Sequence, residues 1–270
     1  MPTADEKRAT FRTLHETGCF VIPNPWDLGS AHYLASLGFK ALATTSSGFA
    51  WSRGRADNGV TLLEALAHLT DLCANLDLPI NADFEGGFAT EPAMVASNVK
   101  RALDTGVAGI SIEDSTGDPA KPLFDFSLSV ERVRAASNAI EGTDTVLVGR
   151  SEGFIVGRPD LEETIRRLKA YSAAGADCLY APGIKTREQI VAVVEAVAPK
   201  PVNVLVGSGF TTVAELAALG VRRISVGGAL ARTAWGGFLP AAREIAERGT
   251  FTALGAAAPF AEVDGLFERD

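Results

Sequence analysis

Eight short apolar runs recur along the chain with helical stretches between them: GCFVIPN (18–24), KALATTS (40–46), LPINADFE (78–85), AGISIED (108–114), TVLVGRSEG (145–153), DCLYAPG (177–183), PVNVLVG (201–207) and RRISVGG (222–228). Each is too short for a helix, is rich in β-branched residues and has an apolar core followed by Gly, Pro, Asp or Asn. Such runs read as parallel strands buried on both faces. Amphipathic helices fill the intervals, among them residues 61–76, 91–106 and 159–175; Pro159 and acidic residues open the last of these. The segments YLASLGFKAL, RALDTGVAGI, YSAAGADCLY and LAALGVRRIS each end a helix at Gly and enter a strand. A Gly just past a helix accommodates the left-handed C-cap.

Eight strands alternating with helices over about 250 residues is the pattern of a (β/α)8 TIM barrel. A doubly wound open sheet is the alternative. No G-x-G-x-x-G follows the first strand, which counts against a Rossmann-type dinucleotide site. The 270 residues are read as one barrel domain, 1–270, with a C-terminal helical extension over about 237–270. The formal charge of −8 is spread without a basic block, so no nucleic-acid partner is expected. No apolar run approaches the about 20 residues of a membrane helix, and the charged opening MPTADEKRATFRTL is not a secretory signal. Cys19, Cys73 and Cys178 have no metal-like spacing and read as reduced thiols of a cytoplasmic protein.

A barrel of this kind carries its active site at the C-terminal ends of its strands. Read in order, those ends supply Asn24 and Asp27, Thr44 to Gly48, Asp83 and Glu85, Glu113 and Asp114, and Arg150 to Glu152, while the seventh strand adds Asn203 near its middle and Ser208 past its end. Asp83 and Glu85, two residues apart, share one strand face. Asp27 reads as a helix N-cap, and Asp114 as either a cap or a site residue. Three acids on adjacent strands, Asp83, Glu85 and Glu113, would repel unless a cation sits among them. Oxygen-only ligands favour a hard ion such as Mg2+, which typically takes one or two carboxylates plus waters and substrate. His15, His32 and His68 are expected on helix surfaces away from this rim, which argues against zinc and histidine-based proton transfer.

Ser47-Gly48, Asp57, Asp83-x-Glu85-Gly-Gly-Phe, Ile112-Glu113-Asp114 and Gly149-Arg150-Ser-Glu-Gly, in this order, resemble the isocitrate lyase / phosphoenolpyruvate mutase superfamily over about residues 18–240. The resemblance implies that Asp83 holds Mg2+ directly and that Glu85, Asp57 and Glu113 act through metal-bound water. It implies that Ser47 and Gly48 hold a substrate carboxylate, and that Arg150 faces the carboxylate and oxo oxygen. Members act on small 2-oxo or 2-hydroxy acids, most through an enolate of pyruvate. The lid after the fourth strand, residues 115–125, lacks the Cys and His of the lyases and the Lys-Thr-Asn of the mutases. Glu85 stands where Asp is usual, and Thr45 where an aromatic residue is common.

The expected function is Mg2+-dependent cleavage of a C–C bond in a small 2-oxo or 2-hydroxy dicarboxylate, by a lyase or decarboxylase. The alternatives are a C–P bond enzyme of the mutase or hydrolase type and a non-catalytic metabolite-binding barrel. Arg150, Glu113 and Lys121 are the candidate catalytic residues; Lys121, the one cation of the loop, is placed on the substrate's far carboxylate. Asn203, with Thr45 and Arg53, is the candidate for further substrate contact. The family resemblance also implies a homotetramer in which the C-terminal helix is exchanged between subunits.

Overall fold

The computed structural model describes residues 1–268. All eight apolar runs contain a strand: β1 Phe20–Ile22, β2 Leu42–Ala43, β3 Ile80–Asp83, β4 Gly109–Glu113, β5 Val146–Arg150, β6 Cys178–Tyr180, β7 Val202–Leu205 and β8 Arg223–Ser225. Every ladder is parallel, in the order β1-β8-β7-β6-β5-β4-β3-β2. The Ala43 N–H donates to the Pro23 carbonyl at 3.1 Å and bridges the seam between β1 and β2. The architecture is a (β/α)8 barrel.

Eleven helices accompany the strands among the described residues: α1 Ala4–Leu14, α2 Leu28–Ser36, α3 Ser46–Ser52, α4 Leu62–Asn75, α5 Pro92–Leu103, α6 Phe126–Ala139, α7 Leu161–Ala173, α8 Arg187–Val197, α9 Val213–Ala218, α10 Ala229–Arg248 and α11 Phe260–Gly265. The four glycines that precede strands, Gly38, Gly106, Gly175 and Gly220, all have φ between 82° and 106°, the left-handed region that ends a helix. The apolar face of each amphipathic helix packs on the outside of the strands in one continuous core. No described helix is long and apolar enough to cross a membrane.

Helix α1 lies outside the alternating pattern and closes the N-terminal end of the barrel. Phe11 is fully buried and packs with Ile22, Ala43, Val146 and Val148 in the barrel interior. Lys7 and Arg8 fasten the helix by donating to the carbonyls of Cys73, Leu76, Leu103 and Val107. Above Phe11 lies a polar layer. Arg223 donates to Asn203 (3.0 Å) and Asn81 (3.2 Å), and the Asn203 amide donates to Ser225 (2.9 Å). This plug leaves the opposite end, where the strands terminate, as the open end.

The histidines depart from expectation. His15 and His68 are both largely buried: His15 packs edge-on against Phe11 and Phe20, and His68 stacks on Phe49 with centroids 4.0 Å apart. They lie on the inward faces of their helix segments, where an imidazole is held neutral. Burial pulls the His15 pKa down to about 3 and that of His68 to about 4. Helix α10 follows β8 and runs without interruption from Ala229 to Arg248.

Candidate active site

The site is built from strand ends and the turns that follow them. Asp83 ends β3, and Glu85 follows in a turn with φ +48°. That left-handed backbone is uncommon for a residue with a side chain. The turn is held from behind by Arg132 on α6. Its guanidinium donates to the carbonyls of Gly86, Ala89 and Thr90 and lies 3.8 Å over the Phe124 ring. Nothing in the sequence pattern marks Arg132 as more than a helix-surface arginine, yet it is 1% exposed.

Arg150, the last residue of β5, is the electrostatic centre. Its Nη1 lies 2.9 Å from Asp83 Oδ1 and 3.1 Å from Glu113 Oε2, and its Nε is paired with Glu152. Burial disfavours the guanidinium charge, but Glu113, Glu152 and Asp83 outweigh burial and raise its pKa. Glu152 was legible as an acid two residues past the end of β5. The sequence reading assigned it no role.

The acids outnumber the arginine. Burial, with the charges of Asp83 and Asp57, pushes Glu85 up to about 8. Burial likewise raises Glu113, with Arg150 opposing and Glu152 adding to the rise. Asp57, on the loop after α3, is raised by desolvation of its carboxyl and by Asp83. Glu85 Oε1 is buried without a hydrogen-bond partner. Crowded carboxylates with an unpartnered oxygen are the chemistry a hard cation satisfies. Among the described residues no three His, Cys, Asp or Glu side chains converge as a direct shell. The arrangement therefore suits an ion with few direct protein ligands and waters for the rest.

The remaining rim residues shape the space. A hollow of about 140 Å³ is bounded by Ser47, Asp57, Asp83, Arg150, Tyr180 and Gly228, and opens to a cavity of about 440 Å³ walled by Glu113, Glu152 and the loop residues Ser115 to Pro119. Thr45 caps α3 and its hydroxyl lies 3.1 Å from that of Ser47, while Gly48 N–H donates to Thr45 at 3.3 Å. The Ser46 N–H donates to Asp83 Oδ2 at 2.9 Å. A Cβ at Gly228 would come within 2.8 Å of Ser47 Oγ, so only Gly allows this approach. Asn24 Oδ1 accepts from the N–H groups of Val226 and Gly227 and fixes the turn that presents Gly228.

Two expected site residues lie elsewhere. Lys121 pairs with its loop neighbour Asp125 at 3.1 Å, and both are exposed. It lines a separate cleft of about 720 Å³ between the loop and α7. The loop is folded back on itself by a Ser115–Leu123 bridge and by Thr116, which turns the lysine away from the acids. Asn203 is fully buried in the polar layer, since it sits inside β7 and not past its end; it supports Ser225 and Arg223. Asp27 caps α2, donated to by the Ser30 N–H at 2.7 Å. Asp114 is no cap. It is buried and accepts from Arg167 (3.1 Å), the Tyr171 hydroxyl (2.6 Å) and the Glu152 N–H (2.7 Å).

A sequence profile for phosphoenolpyruvate phosphomutase matches residues 11–246. The chain belongs to the isocitrate lyase / phosphoenolpyruvate mutase superfamily. Within this superfamily the chain is 46% identical to a Burkholderia cenocepacia protein named only provisionally as a lyase/mutase, whose crystal structure superposes with a TM-score of 0.94 over 98% of this chain and 97% of that one. An oxaloacetate acetylhydrolase solved with oxalate superposes at a TM-score of 0.85, with 28% identity over 98% of this chain and 95% of that one. An oxaloacetate decarboxylase of Paraburkholderia xenovorans is 30% identical over 207 residues, 73% of this chain and 67% of that protein. Relatives in this superfamily named as lyases mark the chain as a lyase-type enzyme.

Proposed function

We propose that this enzyme cleaves a C–C bond of a small 2-oxo or 2-hydroxy dicarboxylate, as a Mg2+-dependent lyase or decarboxylase working through a pyruvate-type enolate. The observation that carries the reading is the ring of Asp57, Asp83, Glu85 and Glu113 around the single Arg150, with Glu85 Oε1 unpartnered. Asp83 would hold the ion directly, and Glu85, Asp57 and Glu113 through water. When bound, Mg2+ supplies an electrophile for the substrate's carboxylate and carbonyl oxygens.

The chain's own residues supply the rest. The Ser47 hydroxyl, at the start of α3, receives the substrate carboxylate. Arg150 is held in place by Glu152 and aimed at the oxygen on which charge develops as the bond breaks, which favours the transition state over the ground state. The Asp114 carboxylate fixes the Glu152 backbone and so the arginine. Ser115, Gly117, Asp118, Pro119 and Pro122 wall the cavity and exclude water from the enolate.

The names of relatives support the C–C reading: oxaloacetate decarboxylase, 2-methylisocitrate lyase and 2,3-dimethylmalate lyase. The phosphomutase profile favours a second reading, cleavage or rearrangement of a C–P bond. Oxaloacetate, 2-methylisocitrate, alkylmalates and phosphonopyruvate, each offered with Mg2+ and followed by pyruvate release, separate the two. Pyruvate from a C–C substrate is the expected result. Turnover of phosphonopyruvate alone would establish the second reading, and oxalate binding with turnover of none and no exchange of pyruvate methyl protons would leave a binding barrel.

The assembly belongs to the same proposal. Trp235, Phe238 and Leu239 on α10, with Phe251, Leu254, Phe260 and Phe267 beyond it, form an exposed apolar row. A second copy covering that row, in a tetramer, removes it from water. Light scattering that gives the 28.3 kDa monomer mass would overturn this. The free cysteines fit a reducing, cytoplasmic setting.

A further inference from the structure

Cleavage through an enolate leaves one proton unassigned. The carbon that loses its bonding partner must be protonated before a 2-oxo acid can leave, and residues 115–125 carry no Cys or His to do it. The hollow beside Arg150 contains one side chain suited to the task. Tyr180 ends β6 directly across the ladder from Arg150, and its ring centroid lies 5.3 Å from the guanidinium carbon. It is 7% exposed and lines the same hollow as Ser47, Asp83 and Gly228. Of the other hydroxyls there, Thr45 and Ser47 pair with each other, Ser111 donates to the Ala82 carbonyl, and Thr44 and Ser225 accept from the Asp83 N–H and the Asn203 amide. They are also alkanols, far weaker acids than a phenol.

We propose that Tyr180 donates the proton that converts the enolate into the 2-oxo acid product. The proposal rests on the enolate reading above. In the step, the Tyr180 O–H bond breaks and its electron pair stays on the phenolate oxygen. The enolate C=C pair forms the new C–H bond, and the enolate oxygen returns to a carbonyl. The phenolate then takes a proton from water as product leaves. Burial raises the phenol to about 12, so it carries its proton at neutral pH, and Arg150 and the Ser225 hydroxyl favour the anion left behind. A carbon acid of this kind is weaker than a phenol, so the transfer runs downhill.

Tyr180→Phe removes the proton and keeps the ring against Arg150. The assay is exchange of pyruvate methyl protons in deuterated water with Mg2+, followed by proton NMR, with calorimetric binding of oxalate and Mg2+ alongside. The variant is expected to lose exchange by about 10²- to 10⁴-fold, the usual contribution of a positioned proton donor, and to bind oxalate within twofold of the parent. A variant that exchanges like the parent overturns the proposal. One that loses oxalate binding together with exchange overturns it too, because the hydroxyl would then be shaping the pocket. A parent that exchanges no methyl proton overturns the enolate reading and this assignment with it.

Discussion

Asp114→Ala is the perturbation whose outcome the structure determines most sharply. The carboxylate is 2% exposed and takes three donors: Arg167 on α7, the Tyr171 hydroxyl, and the Glu152 N–H. Its loss strands all three. Breaking a buried ion pair costs about 3–5 kcal/mol, because the surviving charge stays desolvated. Arg167 keeps Glu163, 2.8 Å from its Nε, which compensates part of that cost. The orphaned phenol and amide would add about 1–3 kcal/mol each if left unpaired; with water entering the vacated carboxylate volume to pair them, the total expected stays near the cost of the broken ion pair, about 3–5 kcal/mol. At about 2.1 cal/mol/K of unfolding entropy per residue, the 270-residue chain should lose about 5–9 °C in Tm. Thermal melts by circular dichroism measure it. Arg167→Met in the Asp114→Ala background removes the stranded charge and should recover part of the loss. A Tm within about 2 °C of the parent, or no recovery in the double variant, would refute the reasoning. Activity should fall as well, since Glu152 loses the anchor that aims Arg150.

Asp83→Ala should abolish Mg2+ binding by calorimetry while leaving the fold intact, since it also relieves repulsion on Glu85; unchanged Mg2+ affinity would sink the ligand assignment. Arg132→Met should cost about 3 kcal/mol by leaving buried carbonyls unpaired, and should weaken Mg2+ binding because Gly86 adjoins Glu85; a thermal melt and a Mg2+ titration check the two effects. Acidification should act in two opposite directions: it weakens the fold through His15 and His68 and strengthens it through Glu85, Glu113 and Asp57, whose carboxyls are held above their ordinary range. The folded pKa values of the two histidines, about 3 and about 4, lie below the ordinary 6.5, so at these sites the unfolded chain binds more protons and their contribution to stability falls as pH drops below 6.5. Each buried imidazole should cost about 2 kcal/mol at pH 5; urea unfolding at pH 7 and pH 5 should show His15→Leu gaining about that much at pH 5 relative to the parent, and an unchanged pH dependence would refute the assignment.

Strand placement was legible because it is local. A buried parallel strand needs a short apolar run, and a helix that must turn back needs a left-handed cap. Both leave marks within ten residues, and Gly38, Gly106, Gly175 and Gly220 carry them. The rim acids were legible for the same reason, since the end of a strand is a position in the sequence. The two-residue period marked Asp83 and Glu85 as one face of a strand, but β3 ends at Asp83 and Glu85 lies in a left-handed turn, so the turn and not the strand pleat brings the second carboxylate to the rim. Helix α1, by contrast, carries charge at five of its eleven positions, and only its fit over the barrel floor shows why Phe11 is buried.

The sequence by itself determined the barrel, the order of its strands and the acidic character of one end, because these depend on periodicity and on residues adjacent in the chain. Tertiary structure alone decided which charges meet. Arg150 could have faced solvent, but it gathers Asp83, Glu113 and Glu152 from three strand ends. Lys121 had the right charge in the right loop, yet Asp125 and the folded loop hold it on the far side. Tyr180 and Arg132 carried no signal, since a strand-end tyrosine and a helix arginine are ordinary in sequence. Their roles arise from packing across elements far apart in the chain, where a few ångströms separate a pocket wall from a surface residue.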